Sequence, residues 1–168
     1  MESKIEIRHV SLKVDSEFDS FTQALERLLG RFDYSFYNDL ETDPRSVEAR
    51  LKAAAGEQGL MLFSIQEHGR LLNLVGAPRK AKQYLLGNPL IAVTMTCRDI
   101  RAALYAPLRI LVYQGGDGAT RVEFDRPSSL FGQFDNPDVA AVARSLDEKL
   151  FNLVAGADRA ADPSPARS

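Results

Sequence analysis

The chain has 168 residues and a formal net charge of −2, and 45% of its residues are hydrophobic while 26% are charged. A chain of this size is typical of one domain, which buries about 70% of its unfolded surface without a disulfide or a metal. The near-neutral charge argues against a nucleic-acid surface, which usually carries a large positive excess.

The single cysteine and the lengths of the apolar runs indicate the cellular compartment in which we expect the protein. The single cysteine, Cys97, cannot form an internal disulfide, and we expect it to be a buried structural thiol. The N-terminal residues are charged where a signal peptide requires an apolar core. The longest uncharged run, residues 83–97, is too short to cross a bilayer. We therefore expect a cytoplasmic protein without membrane contact.

The first two predicted elements are a strand and a helix. Residues 4–15 alternate as a strand does, but the alternation slips by one residue near His9, which indicates a bulge. Residues 16–29 carry apolar side chains at helical spacing, and Ser16 is a suitable N-cap.

The middle of the chain alternates between irregular and regular segments. Residues 31–42 are aromatic without a period, so we interpret them as an irregular packed connection. Asp43-Pro44 is a cap-then-proline signal that starts a second helix. A strand over residues 60–66, a short helical segment over residues 71–75 and a strand over residues 82–86 follow.

Two interpretations exist for residues 90–97. Asn88 followed by Pro89 repeats the cap-then-proline signal and favours a helix. Ile91 and Val93 favour a strand, because β-branched residues pack well in sheets. The cap signal, together with the family resemblance described below, leads us to expect the helix.

The C-terminal part contains the clearest pattern. Two apolar segments, residues 108–114 and 120–125, flank the glycine-rich residues 115–118, which predicts a β-hairpin. Residues 136–138 cap a last helix, and residues 156–168 have the composition of a disordered tail.

Both faces of the predicted sheet carry apolar residues. Ile110 and Val112 alternate with Arg109, Leu111 and Tyr113 along one strand. We expect the first and last helices to pack on the face of Ile110 and Val112. Leu60 and Leu62 are assigned to the second face, with Met61, Phe63 and Ile65 facing the core. The second face therefore requires a cover, which is the N-terminal segment, another subunit or a ligand.

Five short motifs, in this order and spacing, carry a family resemblance. They are Gly59-Leu60-Met61-Leu62-Phe63, Glu67-His68-Gly69, Gly87-Asn88-Pro89, Leu104-Tyr105-Ala106-Pro107-Leu108-Arg109 and Asp125-Arg126-Pro127-Ser128-Ser129. The chain resembles the longer subgroup of the DUF302 family, a domain of unknown function that is widespread in bacteria and archaea.

The resemblance implies an α+β fold with a mostly antiparallel sheet of about five strands and helices packed mainly on one face. It implies one domain over residues 1–155, with an N-terminal extension over 1–45, a family core over 46–155 and the tail over 156–168. It also implies that homodimers are common, and it implies no established reaction.

No catalytic or metal-binding constellation is recognisable. Ser128 and Ser129 lack the Gly-x-Ser-x-Gly context of a hydrolase nucleophile. Glu123 and Asp125 are interpreted as part of an alternating charged outer face. His9, His68 and Cys97 have no spacing that predicts a metal site. We expect no cofactor and favour a protein without catalysis.

A ligand site is nonetheless predicted around the turn at Gly87-Asn88-Pro89. The amides at the start of the following helix suit an anion, and Arg109 can grip a carboxylate or phosphate bidentately. Tyr105 would form an apolar wall, and His68 completes the candidate set. The alternative is that Arg109 pairs with Glu123 across the hairpin.

Two functional hypotheses follow from the sequence. The first is a small binding or assembly module that forms a homodimer and binds neither nucleic acid nor membrane. The second is an enzyme or sensor for a small anionic or aromatic metabolite at the Gly87-Asn88-Pro89 turn.

Overall fold

The structure is a computed structural model that describes residue 2 and residues 4–161. Its strands are β1 His9–Lys13, β2 Gly30–Arg31, β3 Met61–Gln66, β4 Ala81–Gly87, β5 Leu108–Gln114 and β6 Thr120–Asp125. Its α-helices are α1 Phe18–Leu28, α2 Pro44–Ala54, α3 His68–Leu71, α4 Pro89–Thr96, α5 Pro127–Phe131 and α6 Pro137–Ala161. Short 3-10 helices cover Tyr34–Asp39, Glu57–Gly59, Leu72–Val75, Ile100–Tyr105 and Gly132–Phe134.

The six strands form one sheet in the order β1-β6-β5-β4-β3-β2, and every neighbouring pair is antiparallel except β2 with β3. The α+β class and the mostly antiparallel sheet are therefore confirmed. The sequence predicted about five strands because β2, Gly30–Arg31, is only two residues long. A segment this short leaves no periodic signal.

The inner face of the sheet, which we define by Tyr84, Ile110 and Val112, packs against α1 and α6. These three side chains are at most 1% exposed. The helices contribute a continuous apolar stripe to the same core, which consists mainly of Phe18, Phe21, Ala24, Leu25, Val139, Ala143, Leu146, Leu150 and Leu153. The prediction that the first and last helices pack on the face of Ile110 and Val112 is confirmed.

The opposite, outer face is partly covered by α2. Met61 lies there in a second apolar cluster with Val47 and Leu51 of α2, and Phe32 stacks on Phe63 with 4.4 Å between the ring centroids. The expected placement of helices mainly on one face is therefore not confirmed.

The assignment of β3 side chains to the two faces was reversed. Leu60 and Leu62 belong to the inner core, whereas Met61 and Phe63 belong to the outer cluster. The register of β3 against β4 shifts between Leu62 and Ser64, and this irregularity returns Ile65 to the inner core. A bulge changes the phase of alternation, so a period counted along the sequence cannot be carried through it.

Close backbone packing explains the two glycines that follow α1 and α2. A Cβ atom on Gly30 would lie 1.8 Å from the Ala54 carbonyl oxygen, and one on Gly56 would lie 2.2 Å from the Gly30 nitrogen. The amides of Gly30 and Gly56 both donate to the Leu60 carbonyl oxygen at 3.0 Å. Any side chain at either position would separate β2 from the segment that follows α2.

Both ends of the fold differ from the sequence expectation. β1 begins at His9, so residues 4–8 are not a strand. Helix α6 runs to Ala161, and Ala157 within it is fully buried. The predicted disordered tail is therefore wrong for residues 156–161, and its remaining residues, 162–168, lie outside the described part of the chain.

Candidate functional site

The turn between β4 and α4 is built by its side chains as the sequence predicts. Asn88 has an extended backbone, and its Oδ1 accepts a hydrogen bond from the Leu90 amide at 2.8 Å. Its Nδ2 donates to the Gly59 carbonyl oxygen at 2.7 Å, which fixes the turn to the segment before β3. Pro89 occupies the first helical turn, where a missing N–H has no cost. Residues 89–96 thus form the expected helix rather than a strand.

The same contacts occupy the amides that were expected to hold an anion. The Leu90 amide is bonded to the Asn88 side chain, and the amides of Ile91 and Ala92 donate to the Asn88 carbonyl oxygen at 3.1 and 2.8 Å. These three donors are satisfied within the turn, so the turn itself does not present an anion site.

An apolar cleft of about 240 Å³ opens beside this turn. Its walls come from β3, α4, the start of β5, α5 and α6. They are Tyr37, Phe63, Gly87, Asn88, Pro89, Ile91, Ala92, Val93, Met95, Thr96, Ala106, Pro107, Leu108, Phe131 and Leu146. None of these side chains is charged, and only Tyr37, Asn88 and Thr96 carry a polar side-chain atom. We name this feature the apolar cleft.

Gly87 gives the apolar cleft part of its space. A Cβ atom at this position would lie 3.8 Å from Phe63 Cε2 and 3.8 Å from Pro107 Cβ, which is ordinary contact distance. The backbone would accept a side chain here, and any such side chain would take up room between Phe63 and Pro107.

Of the four residues predicted as a ligand site, only Tyr105 and Arg109 line the same cavity. Asn88 lines the apolar cleft, whereas Tyr105 and Arg109 line a separate cavity of about 280 Å³ that reaches the outer face. His68 begins α3 and is exposed. The proposed grip of Arg109 on an anion at the Asn88 amides therefore has no geometric support.

A polar network occupies the outer face near Arg109. His9 Nδ1 lies 2.9 Å from Asp125 Oδ1, and His9 Nε2 lies 3.2 Å from Glu123 Oε2. The Tyr113 hydroxyl donates to Glu123 Oε1 at 2.7 Å. A carboxylate only accepts, so both contacts of the imidazole are hydrogen bonds only when both of its nitrogens carry a proton.

The network shifts the pKa values of its members in opposite directions. The hydrogen bond to Asp125, with a smaller contribution from Glu123, raises the pKa of His9 above its ordinary value of 6.5. The hydrogen bond from Tyr113 lowers the pKa of Glu123 below 4.5. The part of the outer face formed by β1 and β6 is charged, as the sequence indicated. Its connection through His9 was not predicted, because β1 and β6 are far apart in the sequence.

Ser128 and Cys97, two further residues considered in the sequence, lie at the ends of helices. Ser128 donates from its amide and its hydroxyl to Asp147 of α6, at 2.9 and 2.6 Å, so the carboxylate caps α5. Cys97 is exposed at the end of α4, and the expectation of a buried thiol is wrong.

Within residues 2 and 4–161, no group of three or more His, Cys, Asp or Glu side chains is arranged to hold a metal ion. In the same residues, no helix is both long enough and apolar enough to cross a membrane. The cytoplasmic location and the homodimer stay predictions.

The composition of α4 is a sequence signal of the cleft. Helix α4 is apolar all round, with Pro89, Leu90, Ile91, Ala92 and Val93 in succession. A helix without a polar face contacts neighbours on several sides. Only the tertiary structure shows that one of these sides is left open.

The family profile described as domain of unknown function DUF302 matches residues 37–157. The chain therefore belongs to the DUF302 family, and its fold is of the α+β class. The match begins at residue 37, so β1 and α1 precede it, which agrees with an N-terminal extension. No curated protein matches the chain.

A solved structure supports the fold. The crystal structure of an uncharacterized conserved DUF302 protein from Bacillus stearothermophilus superposes with a TM-score of 0.63. The match covers 88% of this chain and 96% of the other, at 15% sequence identity. At this identity the similarity concerns the fold alone.

Proposed function

We propose that this DUF302 protein is a binding module for a small, mainly apolar molecule such as an aromatic ring compound. The observation that carries the proposal is the apolar cleft, with about 240 Å³ of space and uncharged walls. Ligand sites are typically concave and mostly apolar, with a few polar groups that orient the ligand. Tyr37, Asn88 and Thr96 carry the polar side-chain atoms at this site.

The size and surroundings of the cleft suit binding without chemistry. Apolar cavities of about 150 Å³ are known to take up benzene, so a larger cleft accommodates a ring compound. The lining residues include no histidine, cysteine, carboxylate or lysine, and the one tyrosine among them, Tyr37, is 55% exposed. General acid–base catalysis would require such a group within hydrogen-bond reach of the ligand.

Indole is a suitable probe, and its binding to the full chain can be followed by NMR. We expect shifts at the amides of α4 and at Phe63, with saturation. Ala92→Leu places a larger side chain in the cleft and should weaken indole binding at least tenfold, on the order of 1.4 kcal/mol.

Ala141→Leu is the matched control, because Ala141 is an exposed position of α6 outside the cleft lining. It should leave indole affinity unchanged. No saturable shifts with indole, or equal affinities of both variants, would contradict the proposal.

Self-association is a second candidate role, and the outer face favours it. Leu85 and Leu111 lie on this face on neighbouring strands and keep half-buried apolar surface at its centre. We propose that a second copy packs there. Light scattering at high micromolar concentration should give a dimeric mass, and Leu111→Glu should shift it to the monomer with unchanged circular dichroism. A monomeric wild type would exclude the dimer.

A further inference from the structure

A second apolar cavity lies next to the apolar cleft. It has a volume of about 220 Å³ and sits between α2, α4 and the 3-10 helix Tyr34–Asp39. Its lining residues are Phe32, Phe36, Tyr37, Leu40, Val47, Leu51, Pro89, Leu90 and Val93. All nine are apolar or aromatic, and we call this space the side cavity.

Three residues line both spaces and form a ridge between them. They are Tyr37, Pro89 and Val93. Tyr37 and Val93 are 55% and 54% exposed, although both are large and hydrophobic. Exposed apolar side chains that adjoin two apolar cavities indicate a surface that is covered when the site is occupied.

We propose that the natural ligand carries an unbranched alkyl chain that fills the apolar cleft, crosses the ridge and enters the side cavity. This inference rests on the proposed function and specifies its ligand. A flexible chain can bend over Tyr37 and Val93, whereas a rigid ring fills only one of the two spaces. A peptide would bring backbone N–H and C=O groups against walls that offer them almost no partners.

Charge is consistent with this ligand class. Arg50 of α2 is the cation next to the side cavity, and it is paired with Asp39 at 2.7 Å and placed 5.7 Å from the centre of the Phe36 ring. Neither cavity is lined by a charged side chain. Binding energy must therefore come from the buried methylene groups.

A series of straight-chain alcohols from 1-butanol to 1-decanol tests the inference on the full chain by calorimetry. Each added methylene that is buried should tighten binding about fourfold, beyond the length that fills the cleft alone. Leu40→Trp fills only the side cavity, so it should reduce 1-decanol affinity to that of a short alcohol and leave indole affinity unchanged. Leu74→Trp is the matched control, because Leu74 is 87% exposed and lines neither cavity.

The possible failures are distinguishable. If indole binds but alcohol affinity does not rise with chain length, or Leu40→Trp has no effect, the alkyl-chain inference is overturned and the binding module stands. If neither indole nor any alcohol binds, the proposed function fails as well. Leu40→Trp could instead change the oligomeric mass measured by light scattering and leave the affinity for alcohols unchanged. In that case the ridge is covered by a second copy, and the inference is also overturned.

Discussion

Asp158 near the end of α6 binds the backbone that leads into α1 at Ser16. Its carboxylate accepts the Ser16 amide at 2.9 Å and the Asp15 amide at 3.2 Å, and it also accepts the Ser16 hydroxyl. Glu17, the N-cap of α1, makes no side-chain cap bond. Ser16 was the predicted N-cap of α1. Instead, the backbone amides before the helix are bound by Asp158, which is 142 positions from Ser16.

Asp158→Ala should therefore destabilise the protein by about 1–2 kcal/mol, because the amides of Asp15 and Ser16 before α1 lose their acceptor. Chemical denaturation measures the change. Arg159→Ala, at the exposed neighbouring position, is the control and should change stability by less than about 0.5 kcal/mol. Equal stabilities of the two variants would show that the contact contributes nothing.

Ile110→Ala should cost about 2–4 kcal/mol, since Ile110 is 1% exposed between the sheet and the helices. The adjacent residue Leu111 is half-buried on the outer face, and Leu111→Ala should cost about 1 kcal/mol in the monomer. Urea denaturation of both variants compares the two faces of one strand. The reverse order would mean that the inner core is wrongly assigned.

His9 should make stability depend on pH. Its folded-state pKa is raised above 6.5, so its contribution is complete below the unfolded pKa and is lost as pH rises through the folded pKa. The folded-state pKa of Glu123 is lowered below 4.5, so its contribution is present above that value and is lost as pH falls. The network is therefore strongest between these two limits.

His9→Gln should accordingly reduce stability most near about pH 5.5 and least near about pH 9. Denaturation at a series of pH values measures the difference, and NMR titration of His9 gives its pKa directly. Asp125→Asn should lower that pKa, because the stronger of the two carboxylate contacts is removed. A difference in stability that does not vary with pH would count against the network.

Cys97 should be modified by iodoacetamide in the native state. Its thiol is exposed. Within the described residues, the one hydrogen bond of its Sγ is donated to the Thr94 carbonyl oxygen at 3.5 Å. Mass spectrometry should show labelling at a rate close to that of the denatured protein. If labelling requires denaturant, the result would contradict the exposed position of Cys97 and would support the buried thiol that the sequence predicted.

Local rules predicted the parts of the fold that local chemistry determines. The hairpin strands were placed at Leu108–Gln114 and Thr120–Asp125, and Gly118 takes the positive φ of 79° that its turn requires. The cap and proline at Asn88-Pro89 likewise predicted α4, against the strand preference of its β-branched residues.

Features that depend on distant contacts were not accessible from the sequence. The bulge after Leu62 changes the phase of alternation in β3, so the expected faces were wrong for residues 60–63 and right for Ile65. The residues predicted as a ligand site also depend on distant contacts for their relative positions. Asn88 follows β4 and Arg109 lies near the start of the neighbouring strand β5, but the two residues line different cavities.

The pairing of β1 with β6 has a consequence for synthesis of the chain. His9 meets Asp125 across 116 positions, and α1 completes its packing only on α6. Contacts this distant in sequence slow folding, because a long loop must close before they form. While the ribosome makes the middle of the chain, β1 lacks its partner strand β6 and α1 lacks α6. The native core therefore closes only after α6 has left the exit tunnel, and until then part of the apolar stripe of α1 stays uncovered.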